Sequence, residues 1–583
     1  MSTPELLVDG VPYWTEKMYK PGGGQDHLGL GSVVTDRILP RLSPGINVLT
    51  IHPRYWSFYA FVLSEFWSRD DLPRTKAALR SWYRPLECIY SVACSLCDSP
   101  DHYGTPIGTR RIAGVVADEP AGFDPHFDYM ESAMGGYGLY YATVMQTVGL
   151  VGLADPRLGL PVDAVTPEGQ VVADAFRAVI ADTDYYRNWI DRHDEEVPYE
   201  VAAEYGQLAC FCRLRDDSAL DRPLLVDAFL HHGNPIEADA RRQTLRMFCE
   251  VAAQTESSAV DASSFRRLVY FGADHAADEN ASGPSFVPPA PLVRTARKWR
   301  LYQAREYFNA AINEMWRRLS YWGLARDGDV YPVPTADLIA SIDTIDLEAF
   351  AKAVGVDLPP GGLAADTPYR DLLEWVRTVG GVTGQLDDRW DLDCDLTEDR
   401  IIEWLGYGRQ TTEQGPDALA AALTLATFVA ARLWPPELAV VEPADWFPVV
   451  EGGRDRLGLQ RFIDALRTRV DDNETIGDVA RWLTLDYVIA QHERVATAKL
   501  PTTGDTFRFR REAGRLRFFP KDAQVGMNDS RFNAVATFVY ELGWSGYLYV
   551  ENHGLTEEGE RLRADGDLPR SGAFNTSDVT EGA

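Results

Sequence analysis

Lysine is nearly missing from this chain of 583 residues. Lys17, Lys20, Lys76, Lys298, Lys352, Lys499 and Lys521 are the only seven among 57 basic residues, which leaves 50 arginines. No Gly-Lys dipeptide occurs, and this excludes a phosphate-cradling Walker loop of the usual kind. None of the seven lies two residues after Asp or Glu, so the acid-x-lysine pair of the common metal-dependent nuclease core is missing too. H-E-x-x-H and G-x-S-x-G are also absent. Cysteine is scarce, and seven is an odd number that fits a reduced cytoplasmic setting better than a disulfide framework. The first residues, MSTPELLVDGVPYW, lack the basic and apolar blocks of a signal peptide. The longest apolar run, residues 419–431, is too short to span a bilayer, so no membrane association is expected. Positive charge is in short supply against 87 acidic residues. The net charge of −30 weakens any general attraction to nucleic acid, and polyanion binding would need a local basic patch.

Aromatic residues are plentiful, and they are densest between His27 and Trp67. From Arg54 onward Tyr55, Phe58, Val62 and Phe66 recur at three- and four-residue steps, with Trp56, Tyr59, Leu63 and Trp67 as a second stripe. A helix apolar over so much of its circumference is expected at the centre of a large core. Pro40, Pro44 and Gly45 interrupt the chain upstream, making residues 33–39 a separate short helix. His52 and Arg54 flank Pro53 at the start of the central helix. There, free backbone N–H groups make them an anion-binding candidate, and helix capping is the simpler reading.

The rest of the chain reads as mainly α, a multi-domain helical protein with short β-ribbons and a C-terminal winged-helix-like module. Residues 74–97 form a helix, 98–125 a loop, and 129–151 a helix followed by a Gly-rich turn and a short ribbon. Thr166 is the N-cap and Pro167 the first position of the next helix, with Val171, Val172, Ala175 and Phe176 on its buried face. A second copy of this pattern runs from a helix at 532–542 through a strand at 547–550 to a helix begun by Leu555-Thr-Glu-Glu-Gly559. Between the copies, Leu301, Phe308, Met315 and Trp322 recur every seven residues beside Ile312 and Leu319, a core seam. Residues 276–291 are the best linker and 357–368 a weaker one. The expected segments are 1–195, 196–335, 336–470, 471–565 and a disordered tail, 566–583.

The most distinctive polar element is Thr506-Phe-Arg-Phe-Arg-Arg-Glu-Ala-Gly-Arg-Leu-Arg-Phe-Phe519. Alternation on either side of Gly514 predicts a hairpin with one aromatic and one arginine face. Arg508, Arg510, Arg511, Arg515 and Arg517 are the candidate nucleic-acid contacts, since guanidinium forks match phosphate oxygens. The competing reading pairs them with the protein's own acids. Cys94-x-x-Cys97, with Cys88 nearby, lacks a second C-x-x-C or H-x-H pair to complete a zinc set. It reads as core cysteines, as do Cys210 and Cys212, and no metal or cofactor is assigned. Asp391-Leu-Asp393-Cys-Asp395 begins like a calcium loop, but Leu396 and Ile402 stand where glycine and a bidentate Glu are required. It reads instead as an acidic loop before a helix starting near Thr397. His492, inside a helical run, reads as a satisfied helix histidine rather than a base.

The stretches LGLGSVV…ILPRLSPGINVLTIHPRYWSFYAFVL, WRLYQAREYFNAAINEMW and YVIAQHERVATAKL…TFRFR resemble a family of uncharacterised bacterial and archaeal proteins found near phage-defence genes. That resemblance implies a defence context and transfers no catalytic residue. The expected function is a cytoplasmic, non-catalytic subunit that binds DNA through the arginine ribbon or a protein partner in a multi-subunit system. The alternatives are a metal-dependent nuclease or other hydrolase of unfamiliar type, and a protein-only scaffold.

Overall fold

The computed structural model of the protein describes residues 26–118, 121–192, 195–274, 283–327, 332–382, 390, 392, 394–406, 415–434, 446–452, 456–519 and 525–574. It is mainly helical, with 62% helix and 5% strand, as the 3.6-residue periodicity predicts. Among the described residues no helix is long and apolar enough to cross a membrane. Contacts divide the chain into two discontinuous units. The first comprises the described residues of Met1–Thr35 and Leu301–Asn528, the second those of Asp36–Arg300 and Asp529–Ala583.

The second unit is built on the Arg54–Ser68 helix, whose Tyr55, Trp56, Phe58, Tyr59, Phe61 and Phe66 are at most 1% exposed. Trp56 meets Tyr141, Phe229 and Phe538 edge-on at centroid separations of 4.9, 5.2 and 5.4 Å. Burying each such ring is worth about 1.5–3 kcal/mol, enough to make this helix the organiser of its unit. The helix Pro167–Ile180 packs along it. The helix Lys76–Ser95 starts where Thr75 Oγ1 accepts the Ala78 N–H at 3.2 Å.

Two local expectations fail. The stretch expected as loop from 98 to 125 contains the helix Thr109–Asp118 and the strand Gly122–Phe123, paired with Val197–Pro198. Among the residues of that helix whose side chains are described, only Ile112 is buried, so its apolar stripe is too short to stand out among flanking Pro, Gly and Asp residues. The helix expected from Tyr129 begins only at Gly135. That start is held by buried Glu87, which accepts the Gly136 and Tyr137 N–H groups at 2.6 and 3.1 Å and the Tyr129 hydroxyl at 2.7 Å. Burial still pushes the Glu87 carboxyl above its ordinary range, against the lowering effect of those donors.

The suspected repeat is present as matching local geometry. Thr166 Oγ1 donates to the Gly149 carbonyl at 2.8 Å and accepts from Gly169 N at 3.0 Å; Thr556 Oγ1 does the same with Gly543 and Gly559 at 2.7 and 3.1 Å. In both copies a left-handed glycine, Gly149 or Gly543, ends the preceding helix at φ +83°. A Cβ on Gly169 or Gly559 would fall 2.0 or 1.9 Å from the Leu150 or Trp544 carbonyl oxygen, so both positions require glycine. Residues 547–550 are the exception: they form a turn, not a strand, closed by Val550 N–H on the Tyr547 carbonyl at 3.0 Å. The tail from residue 566 is held through Phe574, where Ser571 N–H donates to buried Asp227 at 2.8 Å and Phe574 meets the His232 ring. Residues 575–583 lie outside the described residues.

In the first unit the stretch of the helix Val293–Asp327 from Leu301 onward carries the heptad seam, with Leu301, Phe308, Ile312, Met315 and Leu319 at most 3% exposed. Glu314 and Arg317 on the same helix form a buried pair at 2.6 Å, and Glu398 and Arg432 another, at 2.5 and 2.8 Å. Thr397 caps the helix Glu398–Leu405, accepting from Arg400 N at 3.3 Å. Asp391 and Asp393 of the calcium-like motif lie outside the described residues, as does 276–282 of the linker. His492 is fully buried and accepts the Arg508 N–H at 2.9 Å, a satisfied helix histidine. The hairpin forms as expected: Phe509–Glu512 pairs with Arg515–Phe518 through Ala513 and Gly514, at φ +49° and +77°. Val333–Pro334 joins as a third strand beside Arg515–Phe518.

Candidate metal centre

The helices Lys76–Ser95 and Tyr199–Ala209 lie side by side in the second unit, and Gly206 makes the approach possible. A Cβ there would sit 2.3 Å from the Ala93 carbonyl oxygen. Each helix delivers cysteine where it ends. Beyond the first, Cys97 N–H reaches back to the Cys94 carbonyl at 3.3 Å, and a turn closed by His102 N–H on Ser99 at 3.1 Å returns His102 towards Cys97. At the end of the second, Cys210 leaves helical geometry at ψ 144°, and the 3-10 turn Phe211–Arg215 places Cys212 beside it.

The sulfurs of Cys97 and Cys212 are 3.5 Å apart, as are those of Cys210 and Cys212, and Cys210 Sγ lies 3.4 Å from His102 Nδ1. All four donor atoms fall within 4.8 Å of one another, the one such group among the described residues. A tetrahedral zinc site with Zn–S of about 2.3 Å and Zn–N of about 2.0–2.1 Å has edges of about 3.5–3.8 Å, so the three separations of 3.4–3.5 Å suit the ion, and the sulfur–sulfur ones are far too long for disulfides. Three thiolates and an imidazole are a soft donor set of the kind found at structural zinc sites. All four positions of a tetrahedron are supplied by the protein, the arrangement of a structural rather than a catalytic site.

Without a cation the three sulfurs share charge unevenly. Hydrogen bonds from Cys210 and Cys212 hold the Cys97 thiol far below its ordinary range. The same contacts push Cys212 up, and burial pushes Cys210 up. A divalent cation favours all three thiolates, so its binding would release protons.

His52 and Arg54, the residues proposed for an anion, are turned inward and support this cluster. Arg54 is fully buried. Its Nε and Nη2 donate to Asp221 at 3.2 and 3.1 Å, while Nη1 donates to the carbonyls of Leu208 and Cys210 at 2.7 and 3.0 Å. It thereby caps the helix end that carries Cys210. The His52 ring stacks on Phe211 at 3.8 Å, and its Nδ1 lies 2.6 Å from the Glu541 carboxylate. Phe211, between the two buried ligands, also meets His102 at 4.7 Å. Gly104 lets the loop after His102 cross His52, since a Cβ there would lie 2.6 Å from the imidazole Cε1. Arg213 donates to Gln207 at 2.7 Å; burial opposes its charge, and Cys97 and Cys212 favour it.

Read separately as core cysteines, Cys97 of one pair and both members of the other belong to one cluster. Cys94 is a core cysteine as expected: buried in the helix, it approaches Cys210 and lies outside the four-donor set. His102 was not singled out by sequence. The signal available was a C-x4-H and a C-x-C motif, each too short to carry a full ligand set.

Neither family models, nor curated proteins, nor solved structures yield a match to this chain.

The arginine ribbon, in the first unit, is largely engaged with its own neighbours. Arg510 and Arg517 both reach Glu512, at 2.8 and 2.9 Å, and Arg511 takes Glu493 at 2.6 Å. Arg515 donates to the Pro332 carbonyl at 3.3 Å, and Arg508 is buried at 6% exposure with its Nη1 on the Thr506 carbonyl. The aromatic face lies inward, with Phe509, Leu516 and Phe518 buried.

Proposed function

We propose that this chain is a non-catalytic binding subunit whose second unit is stapled by a structural zinc ion on Cys97, His102, Cys210 and Cys212. The observation that carries this reading is the set of four donors all within 4.8 Å of one another, with three of their separations at 3.4–3.5 Å. Zinc there would tie together the two helix ends and the turns that follow them, adding to the bonds Arg54 makes to the Leu208 and Cys210 carbonyls. Metal binding at a structural site contributes folding free energy directly, about 10–16 kcal/mol in isolated zinc fingers, so the ion would set whether this end of the core is formed. A reduced cytoplasm belongs to the same proposal, because three free thiols must persist until the metal arrives. The resemblance to proteins near phage-defence genes suggests the setting.

The test is metal analysis of the chain purified under reducing conditions, with cobalt substitution as the spectroscopic check. One zinc per chain, replaced by cobalt with tetrahedral d–d and thiolate-to-metal bands, is expected. A chain that retains no zinc and takes none up refutes the proposal.

For the binding partner, a second reading places DNA on the hairpin. It is supported by the half-exposed guanidinium groups of Arg510 and Arg511, at 48% and 52% side-chain exposure. Fluorescence anisotropy of labelled duplex across a salt series tests it. Arg510→Ala with Arg511→Ala is expected to reduce the salt slope by about 1.8, two phosphates at about 0.9 each. Absence of binding at low salt would leave a protein partner, and loss of label in magnesium would point to a nuclease.

A further inference from the structure

We infer that Cys97 is an oxidant-reactive ligand of the centre, with Cys212 as its resolving partner, so that peroxide converts the pair to a disulfide and releases the zinc. This inference rests on the zinc reading above and assigns a modification site and a regulation to it.

Access separates the three sulfurs. Cys210 and Cys212 are 0% and 2% exposed, while Cys97 stands beyond the end of its helix and is partly open to solvent. The thiolate is the form that reacts with oxidants, and a zinc ligand is already a thiolate. Oxidant-sensing cysteines combine thiolate character, accessibility and a neighbouring thiol that resolves the first product. Cys212 meets the last requirement at 3.5 Å, so its sulfur has to close by about 1.5 Å to reach a bond of about 2.05 Å. Cys210 also lies within 4.8 Å of Cys97, so a Cys97–Cys210 bond is the competing product, and the 3.5 Å contact favours Cys212. A bond between Cys210 and Cys212 would close a ring across the single residue Phe211, itself held between the His52 and His102 rings.

The chemistry balances with hydrogen peroxide as the named oxidant. The Cys97 thiolate attacks one peroxide oxygen, the O–O bond breaks, and a sulfenic acid forms as hydroxide leaves. The Cys212 thiolate then attacks the Cys97 sulfur, the S–O bond breaks, and a second hydroxide leaves. Two protons from solvent turn both hydroxides into water. The sulfurs give up two electrons and the peroxide accepts them. Zinc is left with Cys210 and His102, half of its donor set, and dissociates. The bond between Cys97 and Cys212 holds the ends of the two helices in place of the metal. Thiol reductant and zinc restore the starting state.

The experiment uses the full chain loaded with zinc, and its metal content is measured first; a chain that binds none refutes the underlying zinc reading before any oxidant is added. Hydrogen peroxide is then titrated in the presence of a chromogenic zinc chelator, and the product is digested without reduction for peptide mapping. Expected are release of one zinc per chain, a Cys97–Cys212 linked peptide, and recovery with dithiothreitol and zinc. Buried Cys88 and Cys249 serve as internal controls that stay reduced. Zinc retained through oxidation of the chain, or release accompanied by a Cys97–Cys210, Cys210–Cys212 or Cys94–Cys210 bond, overturns the inference. Cys97→His keeps four zinc donors but removes the exposed sulfur, so peroxide-driven release is expected to slow by about tenfold or more. Release at the wild-type rate from that variant also overturns it. If the variant does not hold zinc, the peptide map of the wild-type chain decides.

Discussion

Replacing Gly206 with alanine is the sharpest test of how the metal centre is assembled, because two physical effects predict opposite signs. In a helix interior Gly→Ala ordinarily gains about 1 kcal/mol from backbone entropy. Here the new Cβ would lie 2.3 Å from the Ala93 carbonyl oxygen and 2.9 Å from its carbon, both backbone atoms of the neighbouring helix. Neither can swing aside as a side chain would, so the helices must separate. Over-packing of this kind costs about 1–3 kcal/mol, so once the propensity gain of about 1 kcal/mol is subtracted a net loss of up to about 2 kcal/mol is the expected outcome. Separation also moves Cys210 and Cys212 away from Cys97 and His102, so the strain falls on the metal-bound state. At about 1.4 kcal/mol per factor of ten, zinc affinity is expected to drop by about one decade. Chelator competition measures the affinity, and hydrogen exchange of amides in Lys76–Ser95 and Tyr199–Ala209 measures local stability with and without metal. A variant as stable as the parent, with unchanged zinc affinity, would refute the close-approach argument and show that helix propensity governs the site.

Asp221→Asn leaves the fully buried Arg54 charge without its carboxylate, so a loss of about 3–5 kcal/mol in denaturant stability of the second unit is expected; wild-type stability would show that the carbonyls of Leu208 and Cys210 suffice. Burial raises the Glu314 carboxyl from 4.5 to about 7, against the lowering effect of Arg317, so the folded state holds its proton more tightly than the unfolded chain. Its contribution is therefore complete below pH about 4.5 and lost as pH rises through about 7, on the order of 3 kcal/mol in all. Stability of the first unit measured across that window should fall with pH, and Glu314→Gln should flatten the slope. A slope of the opposite sign would mean that the pairing with Arg317 outweighs burial.

The features legible in the sequence are those set by residues close together in the chain. The central helix at Arg54–Ser68 and the seam from Leu301 to Leu319 follow from apolar spacing of three, four and seven, which any α-helix turns into one face. The caps at Thr166, Thr397 and Thr556 follow from a hydroxyl three residues before an orphan N–H. The hairpin at 509–518 follows from alternation around a glycine able to adopt positive φ. The helix at Thr109–Asp118 escaped this logic because Ile112 is the one buried residue among its described side chains, and the late helix start at Gly135 escaped it because that start is held by Glu87, 49 residues from Gly136.

What the arginines and cysteines do was decided by tertiary structure alone. Alternation predicts that the ribbon has a polar face, but not that Glu493, 18 residues back, lies beneath Arg511 or that Arg508 turns inward. The metal centre is the extreme case. Its halves are joined by contacts spanning 108 and 115 residues, and each half carries only two donors. A pair of donors at one site is common in cores, and only the approach of two helix ends, permitted by a missing side chain at Gly206, makes four converge. Short-range periodicity and turn chemistry determine which elements form; which of their ends meet depends on long-range packing that no local pattern records.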